Sequence, residues 1–171
     1  MKRIVVMALA AAGLMSLQTA ANAEDTFLAQ FVGSWIGRGV MKQSAEAEPE
    51  RVYCKISNTL SADGESLVQK GRCSLASNSG PLNGTITAVG GNAYSGELSS
   101  LASRGPASLS GTLRGSHLVL TSKFTDKLSG DPVEATNTLT IVAGGYKLTA
   151  TRPDPKTGST FTSSEIVFTA R

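Results

Sequence analysis

Residues 52–75, VYCKISNTLSADGESLVQKGRCSL, contain two runs of alternating apolar and polar residues on either side of Asp63-Gly64. An Asp-Gly pair between two such runs is a strong signal for a two-residue β-hairpin turn. With the turn there, Cys54 falls opposite Cys73, and the apolar side chains of both strands share one face of the ribbon. A shift of one residue would lose both features at once. The stretch therefore predicts a hairpin of fixed register with one buried face.

The N-terminal segment, residues 1–23, has the three parts of a secretory signal. Lys2 and Arg3 precede an apolar run at residues 4–17, and Ala21-Asn22-Ala23 forms a small-x-small cleavage site. A membrane anchor is the alternative, but the apolar run is shorter than the roughly 20 residues that a spanning helix needs. We therefore expect cleavage after this site and a periplasmic or secreted mature protein.

The charge of the chain depends on that cleavage. The full sequence has 16 basic and 13 acidic residues and a net charge of +3. Removing the signal takes away two basic residues and leaves residues 24–171 with about one net positive charge. No run of Lys or Arg remains, and the aromatic residues are not interleaved with basic ones, so nucleic-acid binding has no support. Length and a hydrophobic content of 40% favour one folded domain over residues 24–171.

The two cysteines predict one structural disulfide. Cys54 and Cys73 are the only cysteines in the sequence, and their spacing differs from the Cys-x-x-Cys of redox enzymes. An even number of cysteines in an oxidising compartment indicates a disulfide bond. Closing a loop of this length is worth about 3 kcal/mol in the chain-entropy model.

Alternation interrupted by glycine continues along the rest of the chain and predicts an all-β meander. Turns at 90–92, 115–116 and 144–145 each separate two alternating runs, which would pair as further hairpins. A first strand at residues 35–42 and a last strand at residues 160–169 bring the number of predicted strands to ten.

Ten antiparallel strands with one apolar face would most simply close into an up-and-down barrel, because closure removes exposed edges. Residues 25–32 have helical spacing and predict a short helix at the entrance to the barrel. A two-sheet sandwich is the alternative architecture. A membrane-spanning barrel would need an apolar outer band, whereas the outward positions here are rich in serine and threonine. We therefore expect no membrane span.

The first predicted strand carries a motif found in known families. Residues 33–39, GSWIGRG, form G-x-W-x-G-x-G. The G-x-W resembles the signature of lipocalins and the wider calycin group, and the longer motif is similar to the start of nitrobindin-like ten-stranded barrels. The resemblance implies structural roles for Gly33, Trp35 and Gly37. It places the tryptophan across the closed base of the barrel, behind a short N-terminal helix.

The haem chemistry of nitrobindin-like barrels does not carry over to this chain. Those barrels hold haem through a histidine late in the chain. The single histidine here is His117, which lies beside a turn and opposite Arg114, and the alternation of its strand points its side chain outward. The sequence also lacks G-x-S-x-G, H-E-x-x-H and phosphate-loop motifs. We therefore expect no cofactor, no metal site and no enzyme activity.

The inward positions predict an apolar cup with a few polar groups. In an up-and-down barrel the short turns lie at one end, the tight-turn end, and the longer connections lie at the other, the loop end. With a turn at 144–145, Asn137 faces Arg152 near the loop end. Inward glycines such as Gly71, Gly96 and Gly111 would leave room inside. The candidate ligand-binding residues are Asn58, Gln69, Tyr94, Asn137, Tyr146 and Arg152.

A cup with a cation at its mouth suits a small apolar or amphipathic ligand, in the second case with an anionic head. Two alternatives concern the site: Arg152 reaches solvent beside Pro153, or the interior is packed solid. The function expected from the sequence is an exported, soluble barrel that binds such a ligand. The alternative is a structural or interaction module of the envelope, with a filled barrel and its function in the long loops. An enzyme or haem protein is third, and the sequence indicates no particular protein partner.

Overall fold

A computed structural model of the protein describes residues 25–171 as one short helix followed by a closed ten-stranded antiparallel barrel. The predicted signal at residues 1–23 lies outside the described residues and stays a prediction. The helix is α1 (Thr26–Ala29). The strands are β1 (Gly33–Met41), β2 (Glu50–Leu60), β3 (Ser66–Ser74), β4 (Ser79–Gly90), β5 (Ala93–Ser99), β6 (Ser103–Arg114), β7 (His117–Asp126), β8 (Pro132–Val142), β9 (Gly145–Pro153) and β10 (Thr160–Ala170).

The ladder of hydrogen bonds runs through all ten strands and returns to its start. Each strand pairs with its neighbours in sequence, and β1 pairs with β10 from Trp35 opposite Ala170 to Met41 opposite Ser164. The predicted barrel is confirmed, and the two-sheet sandwich is wrong because no gap in the ladder separates two sheets. Over residues 25–171, no helix is long and apolar enough to cross a membrane.

The register of the β2–β3 hairpin agrees with the sequence. Cys54 pairs with Cys73 and Leu60 with Leu67. The two cysteines form a disulfide, and both are buried on the inner face of the barrel. The hairpins around residues 90–92 and 115–116 also have the predicted pairing. Alternating burial along β2 therefore fixes which face turns inward.

The predicted turn between β8 and β9 is wrong by one position, so the pairing shifts by two residues. The turn lies at Ala143-Gly144, and Asn137 therefore faces Ala150 instead of Arg152. Two adjacent glycines are present, and contacts to β10 decide their roles. A Cβ atom on Gly145 would lie 1.9 Å from the Phe168 carbonyl oxygen, whereas Gly144 has a φ of 76° and open space around it. A shift of two residues keeps every side chain on its predicted face.

The short turns that join β2 to β3, β4 to β5, β6 to β7 and β8 to β9 lie at the tight-turn end of the barrel. This end is closed by α1 and the residues that follow it. The Asp25 carboxylate caps the helix by accepting from the backbone N–H groups of Phe27 and Leu28, each at 2.9 Å. The Trp35 indole N–H donates to the Phe31 carbonyl at 2.8 Å, and Trp35 is buried. The helix is shorter than the predicted residues 25–32, because the chain leaves it at a turn before entering β1 at Gly33 with a φ of 133°.

The inward glycines do not simply leave room, contrary to expectation. A Cβ atom on Gly96 would lie 2.0 Å from the Thr85 carbonyl oxygen, and one on Gly111 would lie 1.9 Å from the Val119 carbonyl oxygen. Gly71 has a similar contact with the backbone of β2. These glycines therefore allow neighbouring strands to approach and bend around the barrel.

Candidate ligand-binding site

The barrel interior contains two adjoining chambers. The lower chamber, towards α1, has a volume of about 100 Å³, and the upper chamber, towards the long loops, has a volume of about 150 Å³. An apolar cavity of about 150 Å³ in another protein holds benzene, so the upper chamber can take a ring and the smaller lower chamber can take a short aliphatic segment. Both chambers are lined by the same residues at their junction, namely Leu82, Leu98, Asn137, Leu148 and Phe168.

The lower chamber is mostly apolar and has a small amide network on one side. Leu28 and Phe31 form its floor. Asn58 is buried and donates to the Phe31 carbonyl at 2.9 Å, and its side-chain oxygen accepts from the Gln69 amide at 3.2 Å. One amide thus fastens the segment after α1 to the barrel wall, and the second amide faces the chamber.

Tyr146 is the largest polar side chain of the lower chamber. Its ring packs against Phe31 and Trp35 at centroid distances of 4.9 and 5.2 Å, and it stacks on Phe168 at 4.6 Å. Its hydroxyl group is buried and makes no hydrogen bond of normal geometry among the described residues, although the Asn58 side chain lies close to it. Burial raises the pKa of Tyr146 well above its usual value, and the nearby Asn58 side chain offsets only part of this effect. The hydroxyl is therefore protonated and able to donate.

The upper chamber combines the disulfide, several small side chains and a polar strip. Cys54 and Cys73 lie on one side, and Ala135 and Ala150 lie on the other. A bulge in β10 between Thr162 and Ser164 turns both Ser163 and Ser164 inward. The Ser163 hydroxyl donates to the Ala150 carbonyl at 3.3 Å. The Ser164 hydroxyl is buried without a partner in the described part of the chain.

Arg152 lies at the top of the upper chamber and is 9% exposed, so the alternative in which it reaches solvent is wrong. One terminal nitrogen, Nη1, lies 3.0 Å from the Asp126 carboxylate, and the other, Nη2, donates to the Gln43 carbonyl at 2.7 Å. Its Nε is buried and makes no hydrogen bond to residues 25–171. The cation is thus held by β7 and by the loop after β1.

The Asp126 carboxylate is ionised at neutral pH. Burial alone would raise the pKa of Asp126, but the backbone N–H groups of Ser129 and Leu128 and the Arg152 guanidinium outweigh burial and lower it below its usual value. The ion pair is therefore locally neutral. This balance differs from the unpaired mouth cation that the sequence predicts.

The long loops form a roof above the upper chamber. The Asp154 carboxylate accepts from the Ala45 backbone N–H at 2.7 Å and so ties the loop after β9 to the loop after β1. Gln43 and Arg152 line both the upper chamber and an outer cleft at the loop end. They therefore lie between the upper chamber and this cleft.

Five of the six predicted ligand-binding residues line the chambers, and Tyr94 does not. The Tyr94 hydroxyl donates to the Asp25 carboxylate at 2.9 Å, so this residue holds the base of the barrel. Burial, followed by the hydrogen bond to Asp25, raises the pKa of Tyr94 to about 12. The five residues at the chambers are Asn58, Gln69, Asn137, Tyr146 and Arg152.

Ser164 lines the upper chamber and Asp126 holds Arg152 at its top, although neither residue is among those predicted from the sequence. The alternation of inward and outward side chains along a strand offers a signal for both residues: Asp126 is an even number of residues from the inward Leu120 and Ser122, and Ser164 is an even number of residues from the inward Phe168.

His117 is on the outer wall, as predicted, where its Nδ1 lies 2.9 Å from the Thr140 hydroxyl. No group of three potential metal-binding side chains occurs within residues 25–171.

A closed antiparallel ten-stranded barrel, with a helix across its base and a cavity inside, defines a lipocalin-like fold. Among solved structures, the chain is similar to the S-type phycobiliprotein lyase CPES from Guillardia theta. The two share 15% sequence identity with a TM-score of 0.61, over 85% of this chain and 90% of that chain. No protein-family model and no curated protein matches the sequence. At this level of identity the likeness shows the fold alone.

Proposed function

We propose that the protein binds a small apolar or amphipathic molecule inside its barrel. The observation that carries the proposal is a set of three buried polar atoms without a hydrogen-bond partner among residues 25–171: the Tyr146 hydroxyl, the Arg152 Nε and the Ser164 hydroxyl. All three residues line the two chambers. Buried polar groups nearly always form hydrogen bonds, so these atoms match the polar groups of a guest in the cavity.

The proposal includes export by the N-terminal segment, residues 1–23. An exported protein recovered from the periplasm or medium should begin at Glu24, and N-terminal sequencing tests this directly. The similar structure is named a lyase, but the shared fold does not carry an activity to this chain. The expectation that the chain is not an enzyme therefore stays a prediction.

Binding can be tested with a cavity-filling variant. We expect the mature protein to bind an apolar dye whose fluorescence rises on burial, and Ala135→Leu to weaken that binding at least tenfold because the leucine would occupy the upper chamber. Thr136→Leu is the matched control, since Thr136 is the next residue on β8 and faces outward. Equal dye affinity in the two variants would contradict binding in this chamber. Native mass spectrometry of the purified protein would identify a co-purified ligand.

An interaction role has a separate observation in its favour. The outward positions of the described strands β1, β2 and β3 carry several cations and no carboxylate. Tyr53 lies between two of these cations: its ring centroid is 5.5 Å from the Arg38 Cζ and 5.8 Å from the Lys55 Nζ. Exposed tyrosine and arginine are common in protein interfaces, and the charge favours an acidic protein partner. The cations are Arg38, Arg51, Lys55, Lys70 and Arg72.

Poly-glutamate is a defined probe for this second candidate function. We expect salt-sensitive binding of poly-glutamate that is lost in Lys55→Glu/Arg72→Glu. In Lys123→Glu/Lys147→Glu the binding should persist, because those lysines already pair with Glu134 and Glu165. Loss of binding in both variants would indicate a dependence on total charge and would count against a defined surface.

A further inference from the structure

The polar groups inside the barrel are neutral or already neutralised. In the upper chamber, Asp126 balances the Arg152 guanidinium. Lys42 also lines this chamber, but its ammonium group donates to the Ala45 carbonyl in the exposed loop. In the lower chamber, the polar side chains other than Glu97 are amides, a tyrosine and a threonine, and Glu97 is itself an exposed residue. Among these lining residues, an anionic guest inside the chambers would therefore meet a guanidinium that Asp126 already balances, because the Lys42 ammonium is held at the exposed loop.

The unsatisfied atoms of the upper chamber lie on adjacent strands, β9 and β10, and line the same chamber. Ser164 on β10 pairs with Ala150 on β9, and Ala150 is the inward residue next to Arg152. The Arg152 Nε is a donor, and the Ser164 hydroxyl can donate or accept. A neutral acceptor satisfies both without placing a second negative charge near Asp126. A carboxylate there would be repelled by Asp126 and would lose its hydration shell.

A second polar position lies deeper in the barrel. Tyr146 lines the lower chamber together with Asn58 and Gln69, and its buried hydroxyl is the unsatisfied atom at this level. Tyr146 pairs with Phe168, which is four residues from Ser164 along β10, so the backbone levels of the two polar positions are about 13 Å apart along the strand. The junction between them is apolar, apart from Asn137, whose amide donates to the Ser122 hydroxyl at 2.9 Å.

We infer that the barrel selects an elongated, uncharged molecule with a hydrogen-bonding group at each end and an apolar middle. One end contacts Arg152 and Ser164, and the other contacts Tyr146. This inference rests on the proposed binding function and specifies the chemical class of the ligand. Long-chain diols, diketones and hydroxy-amides with a polar group at each end belong to this class, whereas fatty-acid carboxylates do not.

Three aliphatic probes of equal length test the inference by displacing the apolar dye: decanoate, 1-decanol and 1,10-decanediol. At neutral pH we expect 1-decanol to bind at least tenfold more tightly than decanoate. Tyr146→Phe should weaken the diol about tenfold, the scale of one hydrogen bond, and leave 1-decanol unchanged. Ser164→Ala should weaken both alcohols, whereas Ser108→Ala, on the outer face of β6, should weaken neither.

The outcomes separate the inference from the proposed function. Decanoate that binds as tightly as 1-decanol overturns the preference for neutral ligands, and an unchanged diol affinity in Tyr146→Phe overturns the deeper contact. Dye binding without displacement by any of the three probes also overturns the inference. A dye that never binds the wild-type barrel contradicts the proposed function itself. Each of the three variants, Tyr146→Phe, Ser164→Ala and Ser108→Ala, removes a single oxygen atom, and a cooperative urea unfolding transition is the check that each one folds.

Discussion

At the scale of single residues, Arg152 shows how much the environment of a charge matters. The residue is buried between β7 and the loop after β1, where Asp126 and the Gln43 carbonyl take up two of its nitrogens. Its charge therefore serves mainly to close the loop end of the barrel. Only its Nε remains for a guest.

Removing the Arg152 side chain should destabilise the fold. Arg152→Met leaves the Asp126 carboxylate buried without its counter-ion, and we expect the free energy of unfolding in urea to fall by about 3 kcal/mol. In Asp126→Asn/Arg152→Met the charge is gone, and the asparagine oxygen can still accept from Leu128 and Ser129. The double variant should therefore be more stable than the single one. If it is less stable, the unpaired carboxylate is not the cause.

Gly37 should not tolerate a methyl group. A Cβ atom there would lie 2.5 Å from a ring carbon of Phe168, which is itself stacked on Tyr146. We expect Gly37→Ala to lower the free energy of unfolding by about 1–3 kcal/mol through overpacking. Phe168→Leu in the same chain should recover part of the loss, and a double-mutant cycle measures this coupling. Additive effects of the two changes would show that the ring contact is not responsible.

At the scale of elements, the hairpins differ in how well local sequence specifies them. The β2–β3 hairpin has an Asp-Gly turn, alternation and a cysteine pair that all indicate one register. Between β8 and β9, Gly144 and Gly145 are locally equivalent, and the choice depends on the approach of Phe168 on β10. That contact is tertiary, so the sequence predicts the strands and their inward faces but not this pairing.

The disulfide should contribute most of its stability through the unfolded state. Cys54→Ala/Cys73→Ala should lower the free energy of unfolding by about 3 kcal/mol without changing the β-sheet signal in circular dichroism. The wild-type mass should rise by about 2 Da on reduction, as expected for one cystine. A double variant as stable as the wild type would mean that the bond adds nothing to the closed ladder.

The loop-end roof should weaken in acid. Asp126 and Asp154 both have pKa values below the usual 3.8; for Asp154 the backbone N–H of Ala45 is the largest cause. Lowered pKa values stabilise the folded state fully above the usual value, and this contribution is lost as the pH falls through the folded-state values. We therefore expect urea stability to decline below about pH 4. Asp126→Asn/Asp154→Asn should show a smaller decline, and an identical one would implicate other carboxylates.

At the scale of the whole molecule, alternation and turn residues predict the strand number and the closed barrel, because both follow from hiding one apolar face. The cavity volumes do not follow from these patterns, since they depend on how side chains from ten strands pack together. The same distinction applies to the site. The alternation of side chains along each strand is enough to predict that Asn58, Gln69 and Asn137 point inward. The pairing of Arg152 with Asp126, in contrast, requires the folded loop after β7.

The pairing of β1 with β10 brings the two ends of the described chain to the same end of the barrel. The Arg171 backbone N–H donates to the Ser34 carbonyl at 2.9 Å, and the Asp25 backbone N–H donates to the Gly64 carbonyl at 3.2 Å at the same end of the barrel. A short linker could therefore join residue 171 to residue 25, with new ends opened at Gly115-Ser116. We expect such a circular permutant to keep every ladder and to give the same β-sheet signal in circular dichroism, which would show that the barrel does not depend on the order in which its strands are synthesised.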